Sequence, residues 1–157
     1  MKRFAAAVLI TLFAVSLAGA AERVPAKPGP RDKCPVCGMF VAKYPDFIAQ
    51  VIFRDGAIFH FDGVKDLMKF CFRLDRYSPG RKEADIDAVW VTDYYRMSLI
   101  DGRKAHYVIG SDVYGPMGKE LIPFEKKAEA GEFVKDHRGE RVLSFGEITP
   151  DLIKRLD

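Results

Sequence analysis

The sequence is short of the side chains that most catalytic chemistry needs. It carries three histidines, three cysteines and one tryptophan in 157 residues. It contains no HExxH pair, no glycine-rich phosphate loop and no nucleophile elbow, so metalloprotease, nucleotide-dependent and serine-hydrolase readings find no motif to rest on. Aspartate and glutamate are plentiful but fall mostly on segments expected at the surface, which gives a carboxylate hydrolase little support. A second CxxC, a CxxH or an HxxxH is also missing. A structural zinc knuckle wants four nitrogen or sulfur donors, and only half of such a set can be read. Net charge is small as well. The 25 Lys and Arg against 22 Asp and Glu give +3, and loss of Lys2 and Arg3 with a leader would leave +1. That balance disfavours nucleic acid as a partner.

Long apolar stretches are confined to the N-terminus. Lys2 and Arg3 precede an apolar run over residues 4–17, interrupted only by Thr11 and Ser16, and Ala18-Gly19-Ala20 supplies small residues before Glu22-Arg23. This is the pattern of a secretory signal peptide over residues 1–20. A retained anchor is the alternative, but the run is shorter than the ~20 residues a spanning helix requires. Leu17-Ala18-Gly19 also leads into what could be a lipoprotein site, yet position 20 is alanine where the lipidated cysteine would stand. The expectation is an exported, periplasmic protein, not lipidated at position 20 and without stable membrane insertion after cleavage. Residues 21–33, with Pro25, Pro28 and Pro30, read as an extended linker.

The richest feature follows directly: Cys34-Pro35-Val36-Cys37-Gly38-Met39. Two thiols at this spacing can share one metal ion or one disulfide, and a thioether two residues on favours metal, since it cannot join a disulfide. Thiolate and thioether are soft donors, and soft donors select Cu(I). Competing readings are a structural zinc, a thioredoxin-like redox pair and a plain structural disulfide. An idle pair would tend to oxidise outside the cytosol. The third cysteine, Cys71, shares a helix face with Val64, Leu67, Met68 and Leu74 and is expected to be a buried core thiol. A second soft donor, Met117, sits in the tight turn Tyr114-Gly115-Pro116-Met117-Gly118. His60 and His106 lie on expected strands and could each add an imidazole, while His137 sits in a charged turn. Zinc should bind more weakly than Cu(I), because only two anionic sulfurs and no imidazole pair are in view.

The element pattern is α+β. Residues 47–53 and 57–61 read as strands around the Asp55-Gly56 turn, Asp62 as the cap of a helix, and residues 88–92 as another strand. Strands at 106–109 and 120–124, a helix at 125–136 and a strand at 141–145 repeat that order, before a last helix capped by Thr149-Pro150. Two tandem ββαβ units are therefore expected as a degenerate internal repeat. Residues 34–98 carry the CPVCGM motif and residues 99–157 the YGPMG motif. Phe61 aligns with Phe124, and Phe70 with Phe133.

The CPVCGM motif continuing into Phe40-Val41, the aromatic stretch Phe59-His60-Phe61-Asp62 and the segment Ser111-Asp112-Val113-Tyr114-Gly115-Pro116-Met117-Gly118 together resemble the NosL family, over almost all of the chain that follows the leader. The resemblance implies tandem ββαβ units and a periplasmic Cu(I) metallochaperone, not an enzyme, that helps build the copper sites of nitrous oxide reductase. Its partner would be a copper-requiring apo-protein or its assembly complex. It carries over Cys34, Cys37, Met39 and Met117 as metal ligands. Two alternatives of other classes stand beside it: a thiol–disulfide oxidoreductase using Cys34 and Cys37, and an interaction domain with a structural metal or disulfide. The CPVCGM opening is also similar to YHS and TRASH metal-associated domains, whose later cysteines would fall near Asp62 and Asp66.

Overall fold

The computed structural model describes residues 23–157; the expected leader over residues 1–20 lies outside them. Strand β1 (Ala49–Phe53) and strand β2 (Ile58–Phe61) form a hairpin. Its turn is held by Gly56 at φ 87° and by the Asp55 carboxylate, which accepts from the Ala57 amide at 3.0 Å. The nine-residue helix α1 (Val64–Phe72) follows, then the single turn α2 (Leu74–Tyr77), strand β3 (Ile86–Thr92) and strand β4 (Leu99–Asp101). The first sheet runs β2-β1-β3-β4, all antiparallel.

Strand β5 (His106–Ile109) opens the second sheet. It is followed by a two-stranded ribbon, β6 (Tyr114–Gly115) and β7 (Gly118–Lys119), then β8 (Ile122–Phe124), helix α3 (Lys127–Asp136) and β9 (Arg141–Ser144). The order is β8-β5-β9. In both sheets the first strand is flanked by the second and third, with the helix between those two in sequence. Phe61 ends β2 and packs on Phe70 of α1, ring centroids 5.1 Å apart; Phe124 ends β8 and packs on Phe133 of α3 at 4.9 Å. Helix α4 (Pro150–Arg155) closes the chain, its Thr149 side chain accepting from the Leu152 amide. Several boundaries differ from those expected. The first strand starts at Ala49, two residues later than expected, because residues 45–47 form a short 3₁₀ turn with Pro45 in its first position, where no amide donor is needed. The ribbon β6–β7 occupies what reads in sequence as a loop.

Period-2 alternation decides what each sheet faces. Ala49, Val51 and Phe53 point into the main core with Leu67, Phe70, Val89 and Val91. Tyr107 and Ile109 of β5 enter that same core, while the intervening Val108 joins Ile122, Phe124, Ala130 and Phe133 in a smaller one beneath α3. The second sheet is thus buried on both faces, and the larger core is common to both sheets.

The outer face of the first sheet carries Gln50, His60 and Trp90, and residues 23–33 lie across it as a strap. Trp90 Nε1 donates to the Arg23 carbonyl at 3.0 Å, and the Ala26 amide donates to Gln50 Oε1 at 3.0 Å. His60 contacts the Ala26 carbonyl at 3.2 Å and Asp32 at 3.3 Å. The strap feeds straight into the cysteine motif.

Candidate metal centre

The CxxC segment forms a knuckle. Lys33 bridges Phe40, the Cys34 amide donates to the Met39 carbonyl at 2.9 Å, and the Gly38 amide donates to the Cys34 carbonyl at 2.9 Å. Gly38 turns the chain at φ 80°, a conformation that a side chain would strain. The knuckle sits against the start of α1. Cys34 is buried and Cys37 half-buried, neither in a disulfide.

Two carboxylates meet the thiols there. Cys34 Sγ lies 3.4 Å from Asp66 Oδ2, and Cys37 Sγ lies 3.2 Å from Asp62 Oδ1. One ligand atom from each of Cys34, Cys37, Asp62 and Asp66 lies within 4.8 Å of every other. Both aspartates are buried, at 1% and 2% exposure. This overturns one expectation. Asp62 does not cap α1 through its side chain; Gly63 takes the cap position, and Asp62 turns to Cys37. Asp62, Asp66, Asp93 and Glu120 are buried, while the other described acidic residues are exposed or half-buried, as expected. Asp66 Oδ1 has no hydrogen-bond partner.

Desolvation and the neighbouring carboxylates both oppose thiolate formation. Burial first, then the adjacent aspartates, push the Cys37 thiol up to about 12, and burial raises Cys34 as well. Without metal, both cysteines are neutral thiols at physiological pH.

Met39 is half-buried at the end of the knuckle. Met117 is 44% exposed in the turn between β6 and β7. Its carbonyl accepts from Lys65 Nζ at 2.8 Å, so the ribbon is tied to α1 one residue from Asp66. Glu120 completes the tie, its Oε1 accepting from the Lys65 and Leu121 amides at 2.7 and 2.8 Å. No imidazole belongs to the four-donor cluster. His60 is engaged with the strap, and His137 stacks on Phe133 at 4.2 Å. Cys71 is half-buried, not fully buried, because it borders a cavity of about 230 Å³ among Met68, Ile86, Val89 and Phe145.

Comparison with known proteins places this arrangement. A family model described as NosL matches residues 25–153. The chain belongs to the NosL family. A curated relative, the copper-binding lipoprotein NosL of Stutzerimonas stutzeri, is 29% identical over 135 residues. That match takes in 78% of this chain and 65% of the relative, so the chain spans just under two thirds of the relative's length. The crystal structure of the copper chaperone NosL from Shewanella denitrificans shares the mixed helix-and-sheet fold. Its TM-score is 0.69 at 23% identity, with 83% of this chain and 98% of that one covered. The solution NMR structure of the apo-NosL protein from Achromobacter cycloclastes gives a TM-score of 0.47 at 27% identity, with coverage of 67% and 87%. Among the described residues no helix is long and apolar enough to cross a membrane.

The sequence reading missed Asp62 and Asp66 as site residues. The signal that could have found them was their spacing: Asp62 and Asp66 stand four residues apart, on either side of the Gly63 cap of α1.

Proposed function

We propose that this NosL-family chain is an exported, periplasmic metallochaperone that takes up Cu(I) and passes it to a copper-requiring apo-protein, nitrous oxide reductase or its assembly complex. The observation that carries the reading is the knuckle: two free thiols held side by side beside the start of α1, Cys34 buried and Cys37 half-buried, with the thioether of Met39 two residues on. Cys34 and Cys37 supply the anionic sulfurs, and Met39 or Met117 completes a soft shell. The name of the Stutzerimonas stutzeri relative, a copper-binding lipoprotein, supports the cargo.

Loading begins from neutral thiols. Asp66 and Asp62 accept hydrogen bonds from Cys34 and Cys37, so they are the first bases along which the two displaced protons leave. Transfer needs ligand exchange, and partial exposure of Cys37 and Met117 leaves the shell open to an acceptor's donors. The thiol–disulfide alternative is disfavoured on chemistry. Redox-active CxxC pairs run on a lowered thiol pKa, whereas burial raises both thiols here.

The two ββαβ units, residues 34–98 and 99–157, fit a single ancestral duplication, which the matching strand order supports; β4, although beyond residue 98, pairs with the first sheet. The test of function is anaerobic Cu(I) titration of the reduced protein against a chromogenic Cu(I) chelator, followed by transfer to apo nitrous oxide reductase. One equivalent bound through a sulfur-only first shell is expected. Equal binding by Cys34→Ser/Cys37→Ser, or a nitrogen and oxygen shell by X-ray absorption, would end this reading.

A further inference from the structure

The metal centre occupies the start of α1 and makes no use of the other half of that helix. There Met68, Phe72, Ile86, Val89, Phe145 and Ile148 line a cavity of about 230 Å³, with Cys71 beside them. Well-packed interiors hold few voids larger than a water molecule. An engineered apolar cavity of roughly 150 Å³ already takes up benzene, so this one is roomy enough for a branched chain or a single ring. Its walls come from α1, β3, the turn after β4 and the turn between β9 and α4.

Two charged side chains border the same cavity, Glu83 and Arg103, and both are exposed at its rim. Arg103 is fixed by the backbone: its Nη1 donates to the Asp87 carbonyl at 3.1 Å and its Nη2 to the Ile86 carbonyl at 3.0 Å. Those acceptors are neutral and leave the guanidinium charge uncancelled. Among the described residues neither Arg103 nor Glu83 has an ion-pair partner, and they do not pair with each other. Both act on the inner wall. Burial raises the Cys71 thiol most, Glu83 raises it further and Arg103 lowers it. An apolar pocket with a few placed polar groups is the usual form of a small-molecule site. Here the polar groups are one cation and one anion. An anionic ligand would be drawn to Arg103 and opposed by Glu83, and a cationic ligand would meet the reverse. A head carrying both charges satisfies both.

We propose that this cavity binds a small apolar zwitterion, with the chemistry of a free amino acid whose side chain is apolar. The side chain fills the space beside Cys71. The carboxylate accepts from Arg103, whose planar fork suits it, and the ammonium donates to Glu83. Size sets the upper bound. The cavity is equivalent to roughly eight water volumes, too small for a phospholipid or a peptide segment. The site takes no group from the cysteine knuckle, so the copper reading stands or falls without it.

The experiment is an NMR titration of the reduced, metal-free chain, labelled at the methyl groups of Met, Ile and Val, with L-phenylalanine. Saturable shifts are expected at Met68, Ile86, Val89 and Ile148, with Met39 and Met117 unmoved. Two analogues each delete one charge: phenylpropionate lacks the ammonium and phenethylamine lacks the carboxylate. Each should bind about tenfold more weakly than L-phenylalanine, the loss expected for one hydrogen bond to a charged group. Glycine, without the apolar body, should leave the cavity methyls unmoved. Glu83→Gln, at an exposed position, should weaken L-phenylalanine about tenfold without weakening phenylpropionate. Cys71→Leu, which fills the void, should abolish the response to all of the phenyl compounds. Equal binding of the three phenyl compounds by the wild-type chain would overturn the zwitterion assignment. No saturable shift at millimolar L-phenylalanine, or shifts at the knuckle methyls alone, would overturn the site itself.

Discussion

Glu120 offers a stability measurement whose sign and size both follow from its surroundings. The residue is 4% exposed and sits between the start of α1 and the β6–β7 ribbon. Burial raises its pKa from 4.5 to about 7, against the pull of the Leu121 and Lys65 amides. A carboxyl whose folded pKa lies above its unfolded value holds its proton longer in the native state. Between pH 4.5 and about 7 the folded chain therefore binds more protons than the unfolded one, and stability falls as pH rises through that window. Above and below it, the contribution is flat. A shift of this size corresponds to roughly 3 kcal/mol across the whole window. Glu120→Gln removes the titration and keeps the Oε1 acceptor for both amides. Urea unfolding of the reduced, chelator-treated protein at pH 5 and pH 8 gives the comparison, with every other titrating group cancelling between the two proteins. The wild type should lose roughly 2–3 kcal/mol more than Glu120→Gln over that interval. Parallel profiles would mean that the carboxyl is hydrated or paired in solution, and the argument from burial would be refuted.

Three further outcomes are expected. Cu(I) affinity should rise about tenfold per proton displaced for each pH unit, hence about a hundredfold per unit between pH 6 and 8 for two neutral thiols; a slope of zero in chelator competition would mean the thiols are already ionised. Gly63→Ala would place a Cβ 2.1 Å from Glu120 Oε2, so a loss of about 2–3 kcal/mol in denaturant unfolding is expected, and an unchanged midpoint would contradict the packing. Cys71→Ala borders an existing cavity and should cost only about 1 kcal/mol, with copper stoichiometry by metal analysis unaltered; loss of copper at full stability would move Cys71 into the site.

Local signals made much of the fold legible. The Asp55-Gly56 turn, the apolar face of α1 and the Thr149-Pro150 cap each rest on contacts within a few residues, and the sequence displays those directly. The soft-donor knuckle was legible for the same reason. Asp62 and Asp66 were not, because a carboxylate's role depends on what folds against it. Asp before a helix is an equally good cap, and only the docking of the knuckle on α1 turns it toward Cys37. The strap was hidden likewise. Proline-rich composition shows that residues 23–33 are extended, but not that Gln50, His60 and Trp90 wait on the sheet face to receive them. The β6–β7 ribbon is too short to show an alternating pattern.

The side chain of Lys65 is 2% exposed, and its ammonium reaches the Met117 carbonyl at 2.8 Å, the Leu156 carbonyl at 3.1 Å and the Asp157 carboxylate at 3.6 Å. One buried cation is therefore shared among α1, the ribbon and the end of α4. Fraying α4 would strip this charge of two partners while it is still sealed from water, and lifting the ribbon would strip it of the third. Neither segment can open cheaply alone. Slow amides in α1 and α4 should then exchange with a common opening free energy, as parts of one cooperative unit. A metal bound beside Asp66 would be felt, through Lys65, at the far end of the chain.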